Sequence, residues 1–512
     1  MRVQSLPLAT ALAALLVCEG CKVGPNYKRP EVEMPTGYGE LANAPTTLPT
    51  APATSATTAP TTRQSVLTTD PPVLHAWWTS FGDAKLNALS ERALQANHEL
   101  AIAQSRVREA RAIERGARSA LYPTIALGAS YARSLGSSNG IGFPYGIPGE
   151  SIDLYQIGFD ATYEVDLFGG IRRSIEAAGA SAEAVEDVRR AVQTTLMGEV
   201  SRNYIELRAL QHRLEIAHSN LETQQKTVSI VERRFTNGLA TQFDQLRARA
   251  QLESTSTAIP TLEAAIRRTM FALSVLLGEQ PMSLVDELAT RTPTPPDPPV
   301  VPVGLPSELL RQRPDIRRAE RVLAAETAAQ GIAVSALFPQ LILGGAAGVQ
   351  SREFGNLLND GTPTSGYYLA GPLARWTLFD GGRRRANIDR TNARTQAALS
   401  EYEETVLGAL RDVESALTTY RHDQVRRETL ARVVDDLQKA SDIAQRQYEQ
   451  GLITLLDVLE VQRNLFTSQD ALAQAVNDVW SDLVSIYKAL GGGWQPADAV
   501  AATPDPKKNE RK

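Results

Sequence analysis

Between positions 154 and 168 the side chains alternate in character. Tyr155, Ile157, Phe159, Ala161, Tyr163 and Val165 fall on one face, and Gln156, Gly158, Asp160, Thr162 and Glu164 on the other. A period of two is that of a strand with one apolar and one wet face. Each half of the chain offers two strands, 124–133 and 154–167, then 340–350 and 366–379, joined by long loops rich in Gly, Ser and Pro. Elsewhere the period changes. Val200, Leu207, Leu214, Leu221, Val228 and Phe235 recur every seven residues inside a proline-free run, 171–237. Tyr204 extends that seam, and Gln211, His218 and Gln225 hold its complementary positions. A seven-residue repeat predicts helices that supercoil about partners, and the run could form a rod of roughly 100 Å. The second half keeps Val413, Tyr420, Val434 and Tyr448, with Arg427 and Ser441 interrupting. Segments 86–117 and 308–334 mix Ala, Arg and Glu, which favour helix. Return helices are expected over 242–277, kinked by Pro260, and over 455–490, which holds no proline.

The landmarks occur twice and in the same order. "SALYPTIALGASY" from Ser119 matches "SALFPQLILGGAA" from Ser335, and "DLFGG" at 166–170 matches "LFDGG" at 378–382. Gly238-Leu239 matches Gly451-Leu452, each followed at one spacing by an acid, Asp244 or Asp457. "LLG" at 276–278 then matches "ALG" at 489–491. Ordered correspondence of this kind argues for an internal duplication. The repeats are placed at 76–290 and 305–495, with a Pro-rich linker at 291–304 and a polar tail at 496–512. Gly169-Gly170 and Gly381-Gly382 are too short to cradle phosphate and mark strand-to-helix corners. Four strands beside helices of this length make no independent sandwich. In a bilayer they must close into a barrel, and small barrels need about eight strands, so closure requires more than one copy. The tyrosines and Trp376 suit an interface belt.

Composition removes several function classes. A net charge of −5 over 512 residues gives no electrostatic footprint for nucleic acid. The cysteines, Cys18 and Cys21, both precede the body of the chain, which therefore lacks disulfides, thiol catalysis and Cys-type zinc sites. The five histidines, at 75, 98, 212, 218 and 422, show no visible partners. There is no P-loop, no G-x-S-x-G and no metal cluster, so no catalytic residue, metal or cofactor is expected. Residues 1–20 read as a leader: Arg2, an apolar stretch, then small and polar residues before Cys21. Either this is a lipoprotein signal with Cys21 acylated, or a cleaved secretory peptide in which the cysteine is incidental. Residues 21–75 then form a Pro-, Thr- and Ala-rich tether. Apart from the leader no good spanning helix exists.

Five stretches, "CKVGPNYKRP", "WWTSFGDAKLNAL", "LPSELLRQRPDI", "SALFP" and "YEQGLITLLDVLEVQ", resemble the outer-membrane efflux factor family, the TolC-like channels, in its NodT- or OprM-type lipoprotein branch. The resemblance implies a mainly α fold with a transmembrane β-barrel contribution. It implies a homotrimer whose twelve strands, four from each chain, form an outer-membrane barrel above a periplasmic α-helical tunnel. It makes Gly238, Leu239, Gly451 and Leu452 the tips where a periplasmic adaptor (membrane fusion) protein docks. It makes Leu456, Asp457, Glu460 and Arg463 a constriction, with Asp244 and Arg247 on the other hairpin. Arg247 would pair with a neighbour's acid and latch the tip. The implied function is a passive exit duct, lipid-anchored at Cys21 in the outer membrane, serving an inner-membrane pump of RND type. The alternatives are a conduit for type I secretion or metal efflux, or a periplasmic coiled-coil scaffold lipoprotein. A lipid-anchored hydrolase would need a nucleophile and base that are not visible.

Overall fold

A computed structural model describes residues 21–42, 67–68, 70, 72, 74–135, 151–291, 301–357 and 365–495. The leader, Cys18, tether residues 43–66, most of the linker, and the tail lie outside the described residues. The longer elements, in chain order, are α1 (Ala84–Ala96), α2 (His98–Ser119), β1 (Thr124–Leu135), β2 (Ser151–Val165), α3 (Gly170–Thr236), α4 (Gln242–Ser256), α5 (Ala258–Leu276), α6 (Pro314–Ser335), β3 (Gln340–Ser351), β4 (Gly366–Arg375), α7 (Arg383–Glu449) and α8 (Leu455–Ala489). Among the described residues no helix is long and apolar enough to cross a membrane.

The chain forms two compact units that cut across the sequence repeats. One holds 1–31, 106–185 and 319–402; the other holds 32–105, 186–318 and 403–512. Each repeat gives the first unit a strand pair and the second a helical hairpin.

The first unit is built on one antiparallel sheet, β1-β2-β3-β4. All four predicted strands are present. The second begins earlier than expected, at Ser151, and the fourth stops at Arg375 rather than 379. Beyond Arg375 the chain leaves the ladder, and the Trp376 indole donates to the Leu337 carbonyl instead (3.0 Å). The register carries the apolar face from strand to strand. Tyr131 faces Tyr155, Leu127 faces Phe159, Phe159 faces Ala347 and Ala347 faces Tyr368. The other face pairs Ser130 with Gln156, Gln156 with Gln350, Asp160 with Ala346, and Gln340 with Arg375. Gly158 and Gly348 stand opposite each other on this wet face. A Cβ on either would strike the partner strand or the Tyr367 hydroxyl, which accepts from Gln156 Nε2 (2.5 Å). Every residue of β1 is exposed, including Ile125, Leu127 and Tyr131.

The second unit is helical, with a two-residue parallel pairing of Leu67–Thr68 with Val301–Pro302. The helix expected over 86–117 is split at Asn97. Its backbone is extended, its Oδ1 accepts from Leu100 N (2.9 Å), and its Nδ2 donates to the Leu276 carbonyl (2.9 Å). An Asn side chain that caps a new helix this way competes with continuing the old one. The helix expected from 308 breaks at Arg313, which is extended because a proline follows. The return helix 242–277 breaks at Thr257, one turn before Pro260, whose ring leaves the Ser256 carbonyl without its helical donor.

The seven-residue seam drifts. Val200 and Leu207 are fully buried, but Leu214 and Leu221 are half-buried and Phe235 is exposed. His218 and Gln225 are also exposed, whereas Asn220, Gln224, Thr227 and Val231 are buried. An undistorted helix slips by ~20° per heptad, about 100° over five, enough to turn Phe235 out of the contact. On α7 the supposed interruptions Arg427 and Ser441 lie inside the core, beside Tyr420 and Gln424 along the same stripe.

Asp482 of α8 is half-buried, and its carboxyl is pushed up to about 7 by burial, then by Asp423 and Asp478, against Arg202. The fold therefore takes up a proton between about pH 4 and 7. Stability contributed by the neutral acid is present at the acid end of that window and lost as pH rises through 7. The Tm in detergent should be higher at pH 5.5 than at pH 8. Asp482→Asn should flatten that decline by on the order of 2 kcal/mol, discounted for screening. An unchanged pH profile in the variant would remove Asp482 from the balance.

Candidate functional site

The two Gly-Leu turns have the same geometry. Leu239 N donates to Arg234 O (2.8 Å) and Gly238 N to Phe235 O (2.9 Å); Leu452 N donates to Gln447 O (2.9 Å) and Gly451 N to Tyr448 O (2.9 Å). Gly238 and Gly451 have φ of 74° and 79°. This is the left-handed glycine cap of a Schellman motif, so both glycines are set by the reversal itself.

The acid after each turn is a helix cap. Thr241 N and Oγ1 donate to Asp244 Oδ2 (3.0 and 2.7 Å), and Asp244 N returns a bond to Thr241 Oγ1 (3.2 Å). Thr454 N and Oγ1 likewise donate to Asp457 Oδ2 (2.9 and 2.6 Å). These bonds hold the Asp457 carboxyl below its usual range. A capping box explains a threonine and an acid three apart at each helix start.

Between the turns lies a small apolar core. Val228 and Val231 of α3, Ala248 of α4, Ala444 and Tyr448 of α7, and Leu455, Val458 and Leu459 of α8 meet there. Arg234 joins the two tips: its guanidinium lies 4.8 Å from the Tyr448 ring centre, and Nη1 donates to the carbonyls of Tyr448 (2.7 Å) and Glu449 (3.1 Å). One turn deeper sits a buried polar layer. Gln224 Nε2 donates to Gln462 Oε1 (3.2 Å), and Gln462 Nε2 donates to Thr227 Oγ1 (3.1 Å). Sequence reasoning missed both devices. Gln462 could have been found, because it shares the helical face of Val458, Leu459 and Leu465.

The expected constriction residues share the opposite face of α8. Leu456, Asp457, Glu460 and Arg463 are all exposed. On α4, Asp244 is half-buried and Arg247 exposed, its guanidinium 5.9 Å from the Phe243 ring centre. The apolar tip residues Leu239, Phe243, Leu246 and Leu452 are each more than half exposed.

In the first unit, exposed Cys21 is followed by residues held firmly. Arg173 of α3 is fully buried. Its Nε donates to Val23 O (3.2 Å), and its Nη2 to Gly24 O (3.1 Å) and Asn26 Oδ1 (2.8 Å). Glu176 takes both Arg173 Nη1 (2.9 Å) and Lys22 Nζ (2.6 Å). Val23 N donates to Phe168 O (3.2 Å) at the corner after β2. The segment just after Cys21 is thus fixed beside the end of a sheet strand. Nothing in the sequence around Arg173 marks it, since three long basic or acidic residues near a helix start are commonly surface.

Residues 89–279 and 305–492 match the family described as outer membrane efflux protein. The chain belongs to this family. It is 33% identical over 428 residues to the pyoverdine export outer membrane protein OpmQ of Pseudomonas aeruginosa, covering 83% of this chain and 89% of that one. It is 30% identical to the solvent efflux pump outer membrane protein SrpC of Pseudomonas putida, over 96% and 99% of the two chains. The solved outer-membrane channel OprN superposes with a TM-score of 0.82 at 33% identity, over 93% of this chain and 100% of that one. This efflux protein is accordingly an outer-membrane channel with the TolC-like fold. Both tip turns lie inside the matched segments, one in each, while Cys21 lies before them.

Arg173→Met in the efflux protein should leave the carbonyls of Val23 and Gly24 and the Asn26 Oδ1 without the guanidinium, and Glu176 with Lys22 alone. A loss of about 1–3 kcal/mol is expected locally. Hydrogen exchange at residues 22–27 should rise at least tenfold while the strands stay protected. Unaltered exchange there would show that the clamp is not what fixes the segment.

Proposed function

We propose that this efflux protein is the passive exit duct of a tripartite system, working as a homotrimer. The observation that carries the reading is the four-stranded sheet, whose outer strands β1 and β4 each have one free edge and whose one face is apolar from Leu127 and Phe159 across Ala347 to Tyr368. Joining β4 of one copy to β1 of the next, three times, closes a barrel with no edge left. The wet face, with Gln156, Asp160, Glu164 and Gln350, then lines the water path.

The helical unit provides the periplasmic end. A periplasmic adaptor docks on the tips at Gly238-Leu239 and Gly451-Leu452, where exposed Leu239 and Leu452 support the assignment. The pump behind the adaptor is an inner-membrane transporter of RND type, which chooses the cargo. Cys21 carries the acyl anchor, and its clamp beside the β2 corner holds that anchor against the membrane edge of the sheet. The chain performs no catalysis of its own.

Leu456, Asp457, Glu460 and Arg463 form the constriction, with Asp244 and Arg247 on the neighbouring hairpin. Asp457 there has two roles, capping α8 and contributing to a ring of acids that favours cations. The paired variant Asp457→Asn, Glu460→Gln keeps a capping oxygen and removes the charge. It should raise single-channel conductance in a planar bilayer by about twofold and reduce cation preference. Conductance and selectivity both matching the wild type would take these acids out of the gate.

The assembly and the anchor have their own checks. Solution scattering in mild detergent should give a hollow particle of three copies; a compact single copy would end the duct reading. Cys21→Ser should abolish incorporation of labelled palmitate, and persistent label would move the anchor elsewhere.

A further inference from the structure

In the second unit α3, the α4–α5 junction and α8 border a groove of about 530 Å³ that shares no residue with the tip core. Each wall is one helical stripe. Arg213 and Asn220 bound the stripe on α3, Gln251 and Ala258 that across the junction, and Arg463 and Asp470 that on α8. Each pair is seven residues apart, two turns, so the groove is about 10 Å long. Part of the lining is apolar, with Ala217 and Leu262 buried and Phe466 half-buried.

Several polar groups on this groove are open and unused. Asn220 keeps only 7% relative exposure, yet among the described residues neither end of its amide has a hydrogen-bond partner, and both ends remain within reach of water. Asn220 lines the groove, so that opening is onto it. The Gln251 amide and the Ser254 hydroxyl are likewise unpaired and open. Arg463 is exposed, and its guanidinium holds no acid or carbonyl. The remaining polar groups are committed. Arg213 and Asp470 form a two-bond ion pair (2.7 and 3.0 Å). The Thr255, Thr257 and Thr467 hydroxyls each donate to a carbonyl three or four residues back. Native proteins pair most of their buried polar groups, so a deeply set amide left open at both ends points to a missing partner. A cleft of this size with a few convergent polar groups has the form of a small-molecule site.

We propose that the groove binds an acidic saccharide, a disaccharide-sized sugar carrying a carboxylate. The amides of Asn220 and Gln251 each offer a donor and an acceptor, which neighbouring sugar hydroxyls match. Phe466 and the aliphatic lining cover a C–H face of a ring. Arg463 receives the carboxylate through charge-assisted bonds. Arg213 and Asp470 cancel each other, so the charge left on the lining is positive and favours an acidic sugar over a neutral or cationic one. The assignment stands on the helical unit alone and does not rest on the duct reading. Arg463 is shared with the proposed constriction, but binding and conductance are separate readouts.

The test is titration calorimetry on the full-length protein in zwitterionic nanodiscs, with empty nanodiscs as background. The probes are digalacturonate, its uncharged counterpart galabiose, and adipate, a dicarboxylate without hydroxyls. Digalacturonate should bind saturably and at least about fivefold tighter than galabiose, and adipate should not saturate. Asn220→Leu and Gln251→Leu, which remove the amides, should each weaken both sugars by roughly tenfold. Arg463→Gln should bring digalacturonate down to the galabiose value and leave galabiose unchanged, a split that a merely structural role would not produce. Ser254→Trp should fill the groove and abolish binding, while Lys439→Gln, outside it, should change nothing. Should Asn220→Leu fail to fold, Gln251→Leu and Ser254→Trp still decide. No saturable sugar binding, equal binding of digalacturonate and galabiose, adipate binding as tightly as digalacturonate, or indifference to Gln251→Leu and Ser254→Trp would each overturn the proposal.

Discussion

A strand edge inside hydrocarbon leaves a row of N–H and C=O groups with neither water nor protein to pair them, at several kcal/mol for each group. The sheet of the first unit has four strands among the described residues and therefore two edges, on β1 and on β4. It also presents an apolar face that continues from Tyr131 and Tyr155 across to Tyr368. The four strands of this sheet are fewer than the roughly eight that a small closed barrel needs. Membership in a family of outer-membrane channels and the wet opposite face are two expressions of that constraint. So is the pairing of Gly158 with Gly348, which lets Tyr367 lie flat against the sheet on the water side.

The far ends of the hairpins answer a different problem, how to turn a long helix back without leaving its last carbonyls and first amides unpaired. The chain uses one solution twice. A left-handed glycine closes the first helix, and a Thr-x-x-Asp box opens the second. The recurrence of an acid at fixed distance from each turn thus has a local cause, and any electrostatic role of Asp457 is added to it. The two tips are not independent, since Arg234 reaches from one to the backbone of the other. The contact beneath them combines an apolar cluster with the polar layer of Gln224, Gln462 and Thr227. Such a layer fixes register at some cost in stability.

The duplication was legible because it is written in local signals that survive divergence: glycine corners, strand alternation and helix-ending motifs. What it does not reveal is that the repeats are interleaved in space. Each gives strands to one unit and helices to the other, because strands seek strands for hydrogen bonds and helices seek helices for packing, whichever repeat they came from.

Residue by residue, the chain itself determined whatever depends on near neighbours. Alternation along 154–168 set a two-faced strand, Gly238 and Gly451 set the reversals, and Pro260 set the break in the return helix. Tertiary structure alone decided which side of a long helix lies inside. Phe235 rotates out of the seam, while Arg427, Ser441 and Gln462 rotate in. The same holds for Arg173, buried only because residues 23–26 fold back over it and offer their oxygens. A small mismatch in helical period accumulates along tens of residues, and a charge can be buried only where distant chain supplies its partners. Neither quantity is contained in any short stretch of sequence.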